Sequence, residues 1–150
     1  MNYEQLHKKQ LEESSKLPMY WAFTEKQFNN LLCRLNAKEE DFTTICGALI
    51  LKKDETYVTE TLKRHKREMK NAMENIEFFK SAIIYEMRNH EYAINYQGDY
   101  DVCHALGFHC PYECGDIRDI EKSNMTERQK RAYKEARREY LRLADKNEWY

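Results

Sequence analysis

Cys103, His104, His109, Cys110 and Cys114 put five thiol or imidazole side chains into one short stretch of this chain. Thiolate and imidazole suit zinc, and four such ligands close a structural site. The spacing is not that of a zinc ribbon, because it holds one Cys-x-x-x-Cys and no Cys-x-x-Cys. Neighbouring residues on a helix point about 100° apart, so Cys103 and His104 cannot easily share an ion. The group reads first as ordinary core and surface residues. Zinc is the weaker alternative, and no cofactor is expected.

Two carboxylate–imidazole pairs follow at helical spacing, His65 with Glu68 and Glu86 with His90. Such pairs face the same way and occur in di-metal bundles, which also need carboxylates from facing helices. Glu135 and Glu139 are the available ones. The two pairs lie too far apart along a helix to share one ion, so salt links are the simpler reading. His65 also falls in an apolar seam between Leu62 and Met69, which predicts an at least partly buried, structural histidine.

A third group is basic and aromatic. Lys63, Arg64, Lys66, Arg67 and Lys70 cluster together, and Arg131, Arg137 and Arg138 lie near Tyr133, Tyr140 and Trp149. Basic residues interleaved with aromatics can follow a nucleic-acid backbone and stack bases. Acids are mixed in at salt-bridge spacing, however, as on a solvated helix face. No Gly-rich phosphate loop, nucleophile elbow or His-Glu-x-x-His motif is present. The chain thus carries no positive sign of an enzyme.

Bulk composition sets the frame for these groups. The 150 residues suit a single domain, 1–150. Lys plus Arg is 25 against 26 for Asp plus Glu, which excludes a uniformly acidic nucleic-acid mimic and a uniformly basic histone-like protein. Eleven Tyr, six Phe and two Trp point to a half-wet core or a contact surface. The polar N-terminus lacks a signal-peptide core, and the apolar run from Cys46 to Leu51 is too short to span a bilayer. An odd count of five cysteines then argues for reduced thiols in a cytosol.

The expected fold class is α+β: a long central helix, a small, mostly antiparallel sheet, and a C-terminal helix packed along that spine. A polar helix covers residues 1–16, the core 19–107 and the last helix 125–146. The spine is read from Asp54 to Asn89, where Val58, Leu62, His65, Met69, Ala72, Ile76, Phe79, Ile83 and Met87 recur in steps of three and four. Strands are expected at Met19–Phe23, at Thr43–Leu51 with Gly47 as a bulge or a point of close packing, and at Tyr92–Tyr96, where Tyr92, Ile94 and Tyr96 alternate with Ala93, Asn95 and Gln97. Thr24 with Gln27 and Thr126 with Gln129 are capping boxes. Asn36 is a left-handed stop, and Asp99 a cap for a short helix ended by Gly107. Ala132, Ala136, Tyr140 and Leu143 give the last helix a narrow face suited to close packing.

One resemblance rests on short motifs between Tyr20 and Gly107. They are Tyr20, Trp21 and Phe23 with Gln27 and Phe28; Gly47; Arg64 and His65 through Met69; Asn89, His90, Glu91 and Tyr92; and Ala105 with Gly107. In these the chain resembles a family of small uncharacterised proteins encoded by phages and mobile elements of gut bacteria. It departs at Ile45 and Cys46, and in its Cys-rich segment, which puts a family-wide zinc role in doubt. The resemblance brings no activity. It implies a phage or mobile-element setting, where small proteins act by binding host machinery, and it singles out Asn89, His90, Glu91 and Tyr92. Read as local structure, those four are a helix stop.

The expected function is that of an accessory protein acting by protein–protein binding to a host or phage protein, with inhibition of a host defence system as its sharpest form. The expected contact residues are Asn89, His90, Glu91, Tyr92, Arg137, Arg138 and Trp149. The alternatives are nucleic-acid binding through Lys63, Arg64, Lys66, Arg67, Arg131, Arg137 and Arg138, and a zinc-stabilised module or metal-dependent enzyme. A homodimer along the spine is compatible with all three, and no membrane association is expected.

Overall fold

The computed structural model describes residues 1–149. Six helices, α1 (Tyr3–Ser15), α2 (Glu25–Leu35), α3 (Glu55–Ala72), α4 (Ile76–Asn89), α5 (Gly98–Ala105) and α6 (Glu127–Asn147), accompany a two-stranded antiparallel sheet, β1 (Phe42–Ile45) and β2 (Ala48–Leu51). The class is α+β, as expected. None of these helices is long and apolar enough to cross a membrane. The chain forms two compact units, Lys9–Glu68 and the remainder.

In the unit Lys9–Glu68, Thr24 Oγ1 accepts the Gln27 amide and α2 stops at Asn36 with φ 47°, as the local sequence predicts, but the expected capping box is half formed, because Gln27 Oε1 accepts the Phe23 amide at 2.7 Å instead of the Thr24 amide. The expected strand Thr43–Leu51 is instead a hairpin. Phe42 pairs with Leu51 and Ile45 with Ala48 across the two-residue turn Cys46–Gly47, whose φ values are 51° and 81°. Two positive φ values in succession make the turn that matches strand twist, so Gly47 serves a reversal rather than a bulge. The expected strand at Met19–Phe23 reduces to one bridge, Tyr20 to Leu49. Leu17, Ile50 and Val58 form the small core, with Met19, Ile45 and Leu62 against it.

His65 is buried, and its Nε2 lies 2.7 Å from Glu13 Oε2. The same oxygen accepts Arg64 Nη2 at 2.5 Å, and Arg64 Nη1 reaches Glu68 Oε1 at 2.7 Å. His65 and Arg64 hold the Glu13 carboxyl down at about 2, against an ordinary 4.5. A depressed carboxyl stabilises the fold above its unfolded value, and that contribution fades as pH falls from 4.5 towards 2. Glu13→Gln should therefore melt below the wild type at neutral pH. The gap should close across that acid window in melts run from pH 7 down to pH 2; a gap independent of pH would show that Glu13 acts through shape and not charge.

In the other unit, the predicted spine is broken. The helix ends at Ala72 and a new one starts at Ile76, because Asn75 adopts extended backbone and its Oδ1 accepts the amides of Glu77 and Phe78 at 3.0 Å. An asparagine that takes two orphan amides is an N-cap, and it ends one helix as it begins the next. Helix α6 opens on its capping box, with Thr126 Oγ1 accepting the Gln129 amide and Gln129 reaching back to the Thr126 amide. It packs on α4, the second half of the expected spine. Phe79, Ile83 and Met87 meet Ala132, Tyr133, Ala136, Tyr140 and Ala144 in one buried cluster with Val102, Cys103 and Ile120. A smaller core of Tyr3, Leu6, Phe78 and Ala82 lies beside Met73 and Leu106.

Candidate functional site

The end of α4 shapes a cleft where charged groups converge. Glu91 takes a left-handed φ of 51°, and the Tyr92 amide donates back to the Met87 carbonyl at 2.9 Å. This closes the helix in a Schellman turn with glutamate where glycine is usual. The turn replaces the expected strand at Tyr92–Tyr96: Tyr92 is half-buried whereas Ile94 and Tyr96, in the same phase of the alternation, are exposed, so the period of two sorts no face into the core. Left-handed backbone costs a non-glycine residue about 1 kcal/mol. Glu91→Gly should thus raise the melting temperature by about 2–4 °C, read by circular dichroism, and a fall would show that the Glu91 side chain carries something this turn does not use.

The Schellman turn swings Tyr92 onto α6. Its ring meets the Tyr140 ring edge-on at 5.8 Å, and its hydroxyl accepts Arg137 Nε at 2.7 Å. The same hydroxyl donates to Asp99 Oδ1 at 2.8 Å, and Tyr133 donates to that oxygen at 2.6 Å. Asp99 was expected to cap a short helix; instead Gln97 is the cap residue and Asp99 is a buried acceptor for two tyrosines. Burial pushes the Asp99 carboxyl up, while the Tyr133 and Tyr92 hydroxyls pull it the other way; the net shift is upward. Burial likewise raises both phenols.

The opposite wall is the loop Gly115–Ile117. Asp119, buried, accepts the amides of Cys114 and Gly115 through its carboxylate and so fixes the loop. Asp116 is bound by the Arg118 guanidinium at 2.7 Å, which holds its carboxyl down near 2. With Ala93, Tyr96 and Leu141 these residues enclose a cleft of about 280 Å³.

Of the residues singled out by sequence, the structure brings Tyr92 and Arg137 together. Asn89 and His90 turn inward to Glu86, at 3.4 Å each, where Tyr3 also donates at 2.9 Å. Glu91 and Arg138 are exposed. Trp149 packs on Tyr140 under the Arg88 guanidinium, 5.0 Å from the ring centre. Asp99, Tyr133 and Asp116 were missed. Nothing in their spacing sets them apart, since they come from three elements far apart in the chain.

The structure divides the Cys/His group between the core and the surface. Cys103 and Cys110 are buried in the apolar core, whereas His104, His109 and Cys114 are exposed. Among the described residues no three His, Cys, Asp or Glu side chains are placed to hold an ion. The histidines join a surface ring cluster instead. Tyr100 lies 4.1 Å from His104 and 6.2 Å from Tyr112, and His104 lies 6.4 Å from His109, centre to centre. Several of the basic residues are engaged by neighbours: Lys63 faces Glu60, Arg64 is held by Glu13 and Glu68, and Arg137 by Tyr92. Lys66, Arg67, Arg131 and Arg138 are exposed.

No curated protein and no solved structure matches this chain. A protein family does match, over residues 2–124. The match takes in Tyr92, Asp99 and the Asp116–Asp119 wall, and α6 with Tyr133 and Arg137 follows it. On that match the chain belongs to a family of unknown function, DUF7659.

Proposed function

We propose that this protein acts by binding another protein, with the ring cluster of Tyr100, His104, His109 and Tyr112 as a contact surface. What carries the reading is that these four rings are exposed and yet in contact with each other. Single exposed apolar residues need no explanation, but a contiguous patch does. Aromatic side chains dominate the binding energy of interfaces because they bury much area at little entropic cost. Ile94 and Tyr96 add exposed apolar surface in the same unit. The setting, a bacterial cytosol during phage or mobile-element growth with a host defence component as the target, rests on the resemblance in the motifs from Tyr20 to Gly107.

The test compares the wild type with the double variant Tyr100→Ala, Tyr112→Ala. Both side chains are exposed, so the fold should hold, which circular dichroism checks. A protein that co-purifies from host lysate with the wild type should bind the double variant about 30-fold more weakly or worse, the loss of about 2 kcal/mol expected of a hot spot. A partner held equally by both proteins would overturn the reading. So would a partner-free protein that binds nucleic acid with a steep salt dependence.

A further inference from the structure

Arg137 and Asp99 are opposite charges that line one cleft and do not meet. The Tyr92 hydroxyl stands between them, accepting from Arg137 Nε and donating to Asp99 Oδ1. Both tyrosines bind the same carboxylate oxygen, so Oδ2 has no partner among the described residues, and neither do the two terminal nitrogens of Arg137. Among those residues no buried side-chain nitrogen or oxygen lacks a partner. These three atoms are therefore reachable, and the opening that their residues line is the cleft. The remaining charge on the wall, Asp116, is already matched by Arg118.

We propose that the cleft is a binding site for a free α-amino acid, whose carboxylate is taken by the Arg137 fork and whose ammonium is taken by Asp99 Oδ2. A planar guanidinium with two free nitrogens fits a carboxylate in two-point contact. A lone anion would be repelled by Asp99 and a lone cation by Arg137, whereas a zwitterion satisfies both. Its two charged groups hang from one carbon, matching charges held a single hydroxyl apart. The end of a protein chain presents only one of the two. A cleft of about 280 Å³ is small for a ligand site, of amino-acid size, and Ala93, Ile117 and Leu141 offer apolar walls to a side chain. This site is separate in its chemistry from the ring cluster and stands whether or not that surface binds a partner.

Calorimetric titration of the intact protein with each of the twenty amino acids tests the site. At least one should bind saturably, and its N-acetyl and carboxamide derivatives, each lacking one charge, should bind about tenfold more weakly or worse. Arg137→Gln should weaken the amino acid and make acid and carboxamide bind alike; Asp99→Asn should do the same for free and acetylated amine. Arg137 is half-exposed, so its variant carries the test if Asp99→Asn does not fold. No saturable heat from any amino acid at about 10 mM, equal binding of the charge-deleted derivatives, or unchanged binding by Arg137→Gln would each overturn the proposal.

Discussion

Ile83→Asp should abolish the cooperative unfolding transition of the unit that holds α4 and α6. Ile83 is fully buried between Phe79 and Met87 on the face of α4 that meets Tyr133, Ala136 and Tyr140. An unpaired carboxylate there costs several kcal/mol, against a total stability of about 5–15 kcal/mol for a domain. Ile83→Val, which removes one methylene, should cost only about 1 kcal/mol. Urea melts followed by tyrosine and tryptophan fluorescence separate the two. An aspartate variant that melts within a few degrees of the wild type would mean that α4 does not pack on α6 as described.

Gly98→Ala should destabilise the protein, although glycine to alanine at a helical position normally stabilises by up to about 1 kcal/mol. The added Cβ would lie 2.5 Å from Tyr92 Cδ2 and 3.0 Å from Cε2. That ring cannot retreat freely, since Tyr140 packs against it at right angles and the Arg137 and Asp99 bonds hold its hydroxyl. Overpacking costs about 1–3 kcal/mol, and losing a hydrogen bond to a charged group about 1.5–3 kcal/mol. A net loss of about 2–4 kcal/mol corresponds to a melting point lower by about 5–15 °C. The same substitution should weaken any ligand held by Arg137, because the Tyr92 hydroxyl that positions the guanidinium is displaced. A melting point that rises instead would show that the Tyr92 ring yields, and that the cleft is softer than its hydrogen bonds imply.

The capping box at Thr126, the Thr24 cap and the Asn36 stop were legible because each is a contract between a side chain and backbone groups within four residues. The face Ala132, Ala136 and Tyr140 was legible for the same kind of reason: its period reveals a helix, and its small residues a close neighbour. The break at Asn75 was hidden because the apolar stripe runs straight through it. Ile76 and Phe79 continue the steps of Met69 and Ala72, so periodicity alone cannot tell a bent path from a straight one. The hairpin was hidden because its turn is Cys46–Gly47, not one of the asparagine or aspartate pairs that usually take two left-handed residues. At Tyr92–Tyr96 a period of two reads as a strand, but Tyr92 is half-buried while Ile94 and Tyr96 are exposed, so the alternation marks no buried face.

The residues of the cleft divide in the same way. Tyr92 and Arg137 stood out by type and by their place beside a helix end and among aromatics. Their partners Asp99, Tyr133 and Asp116 did not, because a buried carboxylate looks like any other acid until the elements around it are assembled. The amino-acid sequence by itself determined most of the helical stretches, the caps at Thr24, Asn36 and Thr126, and the apolar faces, all set by contacts a few residues apart. Only the tertiary structure decided that Arg137 and Asp99 share a cleft without touching. That arrangement depends on α6 docking onto α4 and on the Schellman turn at Glu91, which together place the Tyr92 hydroxyl between two charges drawn from distant parts of the chain.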